Sequence, residues 1–179
     1  LEIPSSNQLT AIPPCLYTLV NLREVDLYFN LIEKIDDKIA CLSKLEVLYL
    51  ANNKLYSLSE NLGTLPNLRR LYIHHNRISY LPNSLGNLTT LEVLSINDNF
   101  FAEFPNQILQ LVNVEYLNIS RNRIQRIPGA WNNLDALTLL VMTENPWEDR
   151  PAIDELVSIL RSRGVYVHVS PRDETAEDY

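Results

Sequence analysis

The sequence has little of what catalytic, anchored or disulfide-built proteins need. Only four glycines occur in 179 residues, too few for a glycine-rich loop of the kind that cradles a phosphate. No G-x-S-x-G elbow occurs, so the nucleophile of that hydrolase class is missing. The two cysteines, Cys15 and Cys41, cannot make the disulfide framework of a small secreted domain and lack the spacing of a zinc site. No apolar run approaches the roughly 18 residues of a membrane span, and no basic-then-apolar leader opens the chain. Lys and Arg number 15 against 22 Asp and Glu, a net charge of −7. That balance argues against general nucleic-acid affinity, which rests on neutralising phosphates. The expected protein is therefore not an enzyme and carries no cofactor or metal. Its two thiols fit a reducing, intracellular compartment.

What the sequence does contain is a period. Asparagine recurs every 23 residues, at Asn7, Asn30, Asn53, Asn76, Asn99, Asn122 and Asn145. From the second onward each sits in the pattern LxxLxLxxNxL, for example LREVDLYFNLI from Leu22, LEVLYLANNKL from Leu45 and LRRLYIHHNRI from Leu68. The rest of the unit is periodic too. Apolar residues fall five places after the asparagine (Ile12, Ile35, Leu58, Leu81, Phe104, Ile127), then at nine (Leu16, Ile39, Leu62, Leu85, Ile108, Trp131) and at twelve (Leu19, Leu42, Leu65, Leu88, Leu111, Leu134). Proline follows the first of these at Pro13, Pro82, Pro105 and Pro128, while Asp36 and Ser59 stand there in two other units. A period of this size means a stack of like units.

From Leu9 to about Trp147 this pattern resembles the leucine-rich repeat family. The longer unit with its Leu-Pro step is similar to the intracellular repeats of Ras-pathway scaffolds and of bacterial effectors. The resemblance implies an α/β solenoid, a horseshoe with a parallel sheet on its concave face. The residues agree independently: the LxL alternation is a strand with one face in and one out, and stacking units brings the strands into one sheet. Where the chain leaves each strand, backbone groups would be buried unpaired at about 1–3 kcal/mol each. An asparagine amide supplies both a donor and an acceptor, so the periodic asparagines are expected to form a buried structural ladder.

An open stack needs its end faces covered. After Trp147, the residues Ile153, Leu156, Val157 and Leu160 follow helical spacing, with Pro151, Asp154 and Glu155 near its start and Arg161, Arg163 and Gly164 near its end. Val165, Val167 and Val169 then alternate as a strand. The expected organisation is repeats over 1–147, about six complete units after an incomplete first, a helix–strand cap over 148–169, and a disordered acidic tail over 170–179.

With the core assigned, the outward strand positions remain. They form columns across units, one of which runs Asp26, Tyr49, Tyr72, Ser95, Asn118, Val141, with another of Tyr28, Ala51, His74, Asn97, Ser120 and Thr143 beside it. Exposed Tyr, Phe and Arg that folding does not require mark protein interfaces. The expected partner-binding residues are Tyr28, Phe29, Tyr49, Arg70, Tyr72, His74, His75, Arg77, Asp98, Phe100, Tyr116, Arg121 and Arg123. Their centre falls over Tyr49, Tyr72 and His75, with Arg70 and Arg77 giving orientation. The pair His74–His75 lacks the neighbours of a metal site but can make contact pH-sensitive. Asn118 also opens a glycosylation triplet, and a glycan there would obstruct this face.

The function expected is a non-catalytic, monomeric module binding one protein on the concave face, as scaffold or as inhibitor covering an active site. Two alternatives stand beside it: the recognition part of a larger enzyme such as a bacterial effector ubiquitin ligase, or an extracellular receptor, which the missing cysteine caps disfavour. The effector resemblance would make it a factor delivered into a host cell.

Overall fold

The structure is a computed structural model describing residues 8–129 and 131–169. Asn7 and the acidic tail of residues 170–179 lie outside the described residues. Seven three-residue strands, β1 (Glu24–Asp26), β2 (Val47–Tyr49), β3 (Arg70–Tyr72), β4 (Val93–Ser95), β5 (Tyr116–Asn118), β6 (Leu139–Val141) and β7 (Tyr166–His168), form one open sheet in chain order. Every neighbouring pair is parallel. The register steps by one repeat, so that Glu24 lies opposite Val47, Val47 opposite Arg70, and Arg70 opposite Val93. The columns of the sequence are therefore columns in space.

The centre of each strand (Val25, Leu48, Leu71, Leu94, Leu117, Leu140) is buried, and its two neighbours turn the other way. Behind the sheet runs a row of short 3₁₀ helices: Pro14–Thr18, Asp37–Cys41, Glu60–Thr64, Asn83–Asn87 and Asn106–Gln110. The residue entering each helix explains why proline is interchangeable with Asp36 and Ser59. Pro13, Pro82 and Pro105 hold φ near their ring-imposed value, between −57° and −71°. Asp36 and Ser59 reach the same extended entry by side-chain capping, accepting from the backbone N–H of Lys38 (2.8 Å) and Asn61 (3.0 Å). The sixth unit has no such helix among the described residues. Trp131 fills that space instead, buried against Phe104 at 5.2 Å between ring centres.

The asparagine ladder is continuous. In Asn53 the side-chain oxygen accepts from the N–H of Ile32 (3.0 Å), and the amide nitrogen donates to the carbonyls of Leu27 (2.9 Å), Leu50 (3.0 Å) and Ala51 (3.2 Å). Asn76, Asn99 and Asn122 repeat this set one unit on. Each side chain therefore holds its own turn and ties it to the unit before. Two expected core positions depart: Ile127 is only partly buried, and Leu19, at the N-terminal end of the described stack, is 44% exposed, whereas Leu42, Leu65, Leu88, Leu111 and Leu134 at the same phase are buried.

The chain beyond Trp147 forms helix α1 (Arg150–Ser162) and β7, which closes the sheet beside β6. Ile153, Leu156, Val157 and Leu160 are its buried stripe, as the spacing requires. Asp149, rather than Asp154 or Glu155, meets the free N–H groups at its start, accepting from Ala152 (3.1 Å), while Asp154 pairs with Arg150 (3.0 Å). Gly164, at φ +84°, ends the helix, and Val165 N–H returns to Leu160. Arg163 fixes the helix to the stack: its guanidinium donates to the carbonyls of Trp131 and Leu134 (3.1 Å each) and to the Asp135 carboxylate (2.8 Å).

Replacing Asn76 by alanine strands the buried Leu55 N–H and should cost about 3 kcal/mol in urea unfolding. At the half-buried Asn145, whose bonds within its own turn stretch to 3.4–3.5 Å, the same change should cost about 1 kcal/mol. Equal losses at the two positions would contradict a ladder whose strength follows burial.

Candidate functional site

The outward positions of β2 and β3, with the turns after β1 and β3, bring six of the thirteen expected residues together in one aromatic string. Tyr49 and Tyr72 lie opposite one another in the register and stack nearly parallel, 4.9 Å between centres and 6° between planes. Tyr72 meets His74 edge-on at 6.4 Å, His74 meets His75 at 5.5 Å, and Tyr28 bridges from His74 (6.1 Å) to Phe29 (4.4 Å). Tyr28, Tyr49, Tyr72 and Tyr116 are half-buried, so their rings are held by neighbours and still open to a partner. The Tyr49 hydroxyl is pushed up by burial and by the neighbouring Tyr72 and Glu24, with Arg70 acting in the other direction.

Beyond the string the face is polar. His75 lies 3.6 Å from the Asp98 carboxylate, which also faces Arg121 at 3.8 Å, and Arg121 pairs with Glu144 at 2.9 Å. Phe100 and Arg123 stand apart at the rim, the guanidinium 4.5 Å above the ring. Arg77 lies on the same rim, and Arg70 is exposed beside the tyrosine stack. Not every outward column is open: Ala51, Ser95 and Ser120 are buried. Ser120 turns its hydroxyl onto Asn118, whose side-chain oxygen accepts from both its N–H (3.0 Å) and its O–H (2.7 Å).

The structure adds residues that aromatic and charge content did not single out. Ser95, Asn97, Val93 and Asn118 line a depression of about 460 Å³ between Tyr72 and Tyr116. Its sequence signal was present in the column itself, where a small residue follows two tyrosines. A second signal lies in the backbone. The residue before each ladder asparagine (Phe29, Asn52, His75, Asp98, Arg121, Glu144) has φ between 51° and 55°. The left-handed conformation costs a residue with a Cβ roughly 1–2 kcal/mol, and backbone comfort alone would favour Gly or Asn. Asn52, with Asp98 and His75, is of a type that tolerates this conformation, Phe29, Arg121 and Glu144 are not, and four of the six are residues of the expected site.

His74 is the other unusual group. Its Nδ1 is buried and bonds to nothing among the described residues. Burial, then the neighbouring His75, lowers its pKa below the ordinary 6.5, with Asp98 acting in the opposite direction. A histidine whose folded pKa is depressed stabilises fully above its unfolded pKa, and that contribution is lost as pH falls.

Two stability measurements test this geometry. Phe29→Asn should raise unfolding stability by about 1 kcal/mol, because asparagine tolerates positive φ. His74→Gln should remove part of the stability loss that the parent protein shows on acidification below pH 6.5, seen by comparing urea midpoints at neutral and mildly acidic pH. An unchanged pH dependence would mean that His74 is not the group being titrated.

Against known proteins, the sequence profile described as leucine rich repeat matches residues 3–55, 20–78, 44–101 and 89–146. No curated protein sequence matches. Among solved structures, a leucine-rich repeat protein of Leptospira interrogans is similar at 28% identity and TM-score 0.76, over 90% of this chain and 40% of that one. An internalin (InlF) of Listeria monocytogenes is similar at 25% identity and TM-score 0.68, over 90% and 46%. The functional domain of InlJ from the same bacterium, which includes a cysteine ladder, shares the fold at 23% identity and TM-score 0.69, over 97% and 35%. The chain thus spans less than half the length of each of these structures.

Proposed function

The chain belongs to the leucine-rich repeat family, and from that premise we propose that it is a non-catalytic recognition module binding a protein partner on its concave sheet face, as a scaffold or as a cover over the partner's active site. Domains of this fold are protein-interaction modules generally. The observation that carries the reading is the ring string from the exposed Phe29 through Tyr28 and His74 to Tyr72 and Tyr49, the last four half-buried but uncovered. Aromatic side chains held rigid by their neighbours lose little freedom on binding, so they serve as anchors. The polar group of His75, Asp98, Arg121 and Glu144 flanks the string and sets register. Replacing an anchor of this kind costs about 2 kcal/mol or more in binding.

No helix among the described residues is long and apolar enough to cross a membrane. Cys15 and Cys41 are exposed and unpaired, which suits the reducing, intracellular compartment we assign to the module. The solved relatives are bacterial, which favours a bacterial effector as the whole protein's role.

The test is affinity capture with mass spectrometry, comparing the parent protein with a Tyr49→Ala/Tyr72→Ala/His75→Ala variant shown by circular dichroism and melting to be folded. One protein retained by the parent and lost by the variant is the expected outcome. If the same protein is retained by both, the binding surface lies elsewhere, on the 3₁₀ side or at α1.

A further inference from the structure

The tyrosine stack stops at β4. Along the column Asp26, Tyr49, Tyr72, Ser95, Asn118, Val141, the register places Tyr72 directly opposite Ser95. Tyr49 covers one face of the Tyr72 ring at 4.9 Å. β4 lies on the other side of β3, and there Tyr72 borders the depression of about 460 Å³. Neighbouring strands are about 4.8 Å apart, close to the stacking distance of flat groups. A ring on each strand therefore touches the one before, and Ser95 leaves the second face of Tyr72 uncovered.

We propose that this notch receives an arginine side chain of a basic protein partner, its guanidinium lying flat on the free face of Tyr72 above Ser95. The proposal rests on the sheet-face reading and supplies the partner chemistry it implies. Flatness and spacing alone would admit an aromatic ring as well as a guanidinium, and the polar floor decides between them. The Ser95 hydroxyl donates to Asn97 Oδ1 (2.7 Å), and Asn97 Nδ2 donates to the Asp98 carboxylate (2.7 Å). Asn97 Oδ1 keeps a lone pair, and Ser95 Oγ keeps its acceptor capacity. A hydrocarbon ring seated there would shut these groups from water without partners, each at the cost of a lost hydrogen bond. A guanidinium carries five N–H donors in its own plane and stacks on aromatic faces, so it meets the ring and the acceptors together. The same face already shows the contact, in Arg123 above Phe100.

Charge points the same way. The chain carries −7 overall, and Asp98 stands next to the floor, accepting from Asn97. A basic partner would be drawn to such a protein and oriented by it. His75 and Arg121 already face Asp98 at 3.6 and 3.8 Å, so the incoming cation shares that carboxylate rather than taking it over. Preference for arginine over lysine follows from shape, because an ammonium is a compact point charge with no flat face to cover the ring and no rigid fork to hold its donors on the acceptors.

The experiment is an NMR titration of isotope-labelled protein with acetyl-Gly-Arg-Gly-amide and with its citrulline, lysine and phenylalanine counterparts. The arginine peptide should move the amide signals of Tyr72, Ser95 and Asn97 saturably, and bind about tenfold more tightly than the others. Ser95→Tyr, which adds a third ring like those at positions 49 and 72, should abolish that binding. Asn97→Leu, which removes the acceptor without filling the notch, should weaken it. Failure of the arginine peptide to move these signals, or equal binding by the phenylalanine peptide, overturns the proposal. The two readings fail separately. Peptide binding in the notch without face-dependent capture sinks the recognition module and leaves the notch, and capture without peptide binding does the reverse.

Discussion

Everything in this molecule depends on one bonded side chain per turn. A chain that leaves a three-residue strand and folds back behind it must bury peptide groups that no strand pairing can reach. Asn53 meets four of them at once, across two successive units. An unbonded buried amide costs about as much as a lost hydrogen bond, so the asparagine both requires the turn and is required by it. The strands can be only three residues long because the ladder, together with backbone bonds that continue past the strand ends, such as Asn52 N–H to His74 and Lys54 N–H to Ile32, ties each unit to the next.

The same constraint shapes the outward face of the sheet. To bring its amide under the turn, each ladder asparagine is preceded by a residue at positive φ. That residue emerges beside the strands, at a fixed angle, in every unit. The fold therefore offers a row of positions whose backbone is set and whose side chain is free to differ. Here the row carries Phe29, His75, Asp98 and Arg121, and the ladder behind them offsets their strain. Aromatics on the strands and mostly charged side chains on this row then form two neighbouring lines, which the proposed function assigns to anchoring and to orientation.

Much of this could be read directly from the chain. The 23-residue period placed the strands, the ladder and the columns, because parallel stacking turns sequence separation into spatial adjacency. The helical stripe of Ile153, Leu156, Val157 and Leu160 was legible for the same reason, since its spacing is local. Other features were not legible. The helix start is capped by Asp149, outside the stripe that marked the helix, and Arg163 reaches back across the fold to the carbonyls of Trp131 and Leu134. Those carbonyls already accept backbone N–H groups of their own unit at 3.3 Å, so Arg163 is a second donor to each, a contact that no local spacing announces.

The expected binding residues divide along the same line. Which side chains share the sheet face was set by register, a property of the repeat and hence of the sequence itself. How they meet was decided only by the tertiary structure: that Tyr49 and Tyr72 lie flat on one another, that Ser95 is buried at the edge of a notch, that Arg123 covers Phe100. The period fixes where each Cα lies relative to its counterpart one unit away. Side-chain rotamers answer to the packing of every neighbour at once, and a one-dimensional repeat does not carry that information.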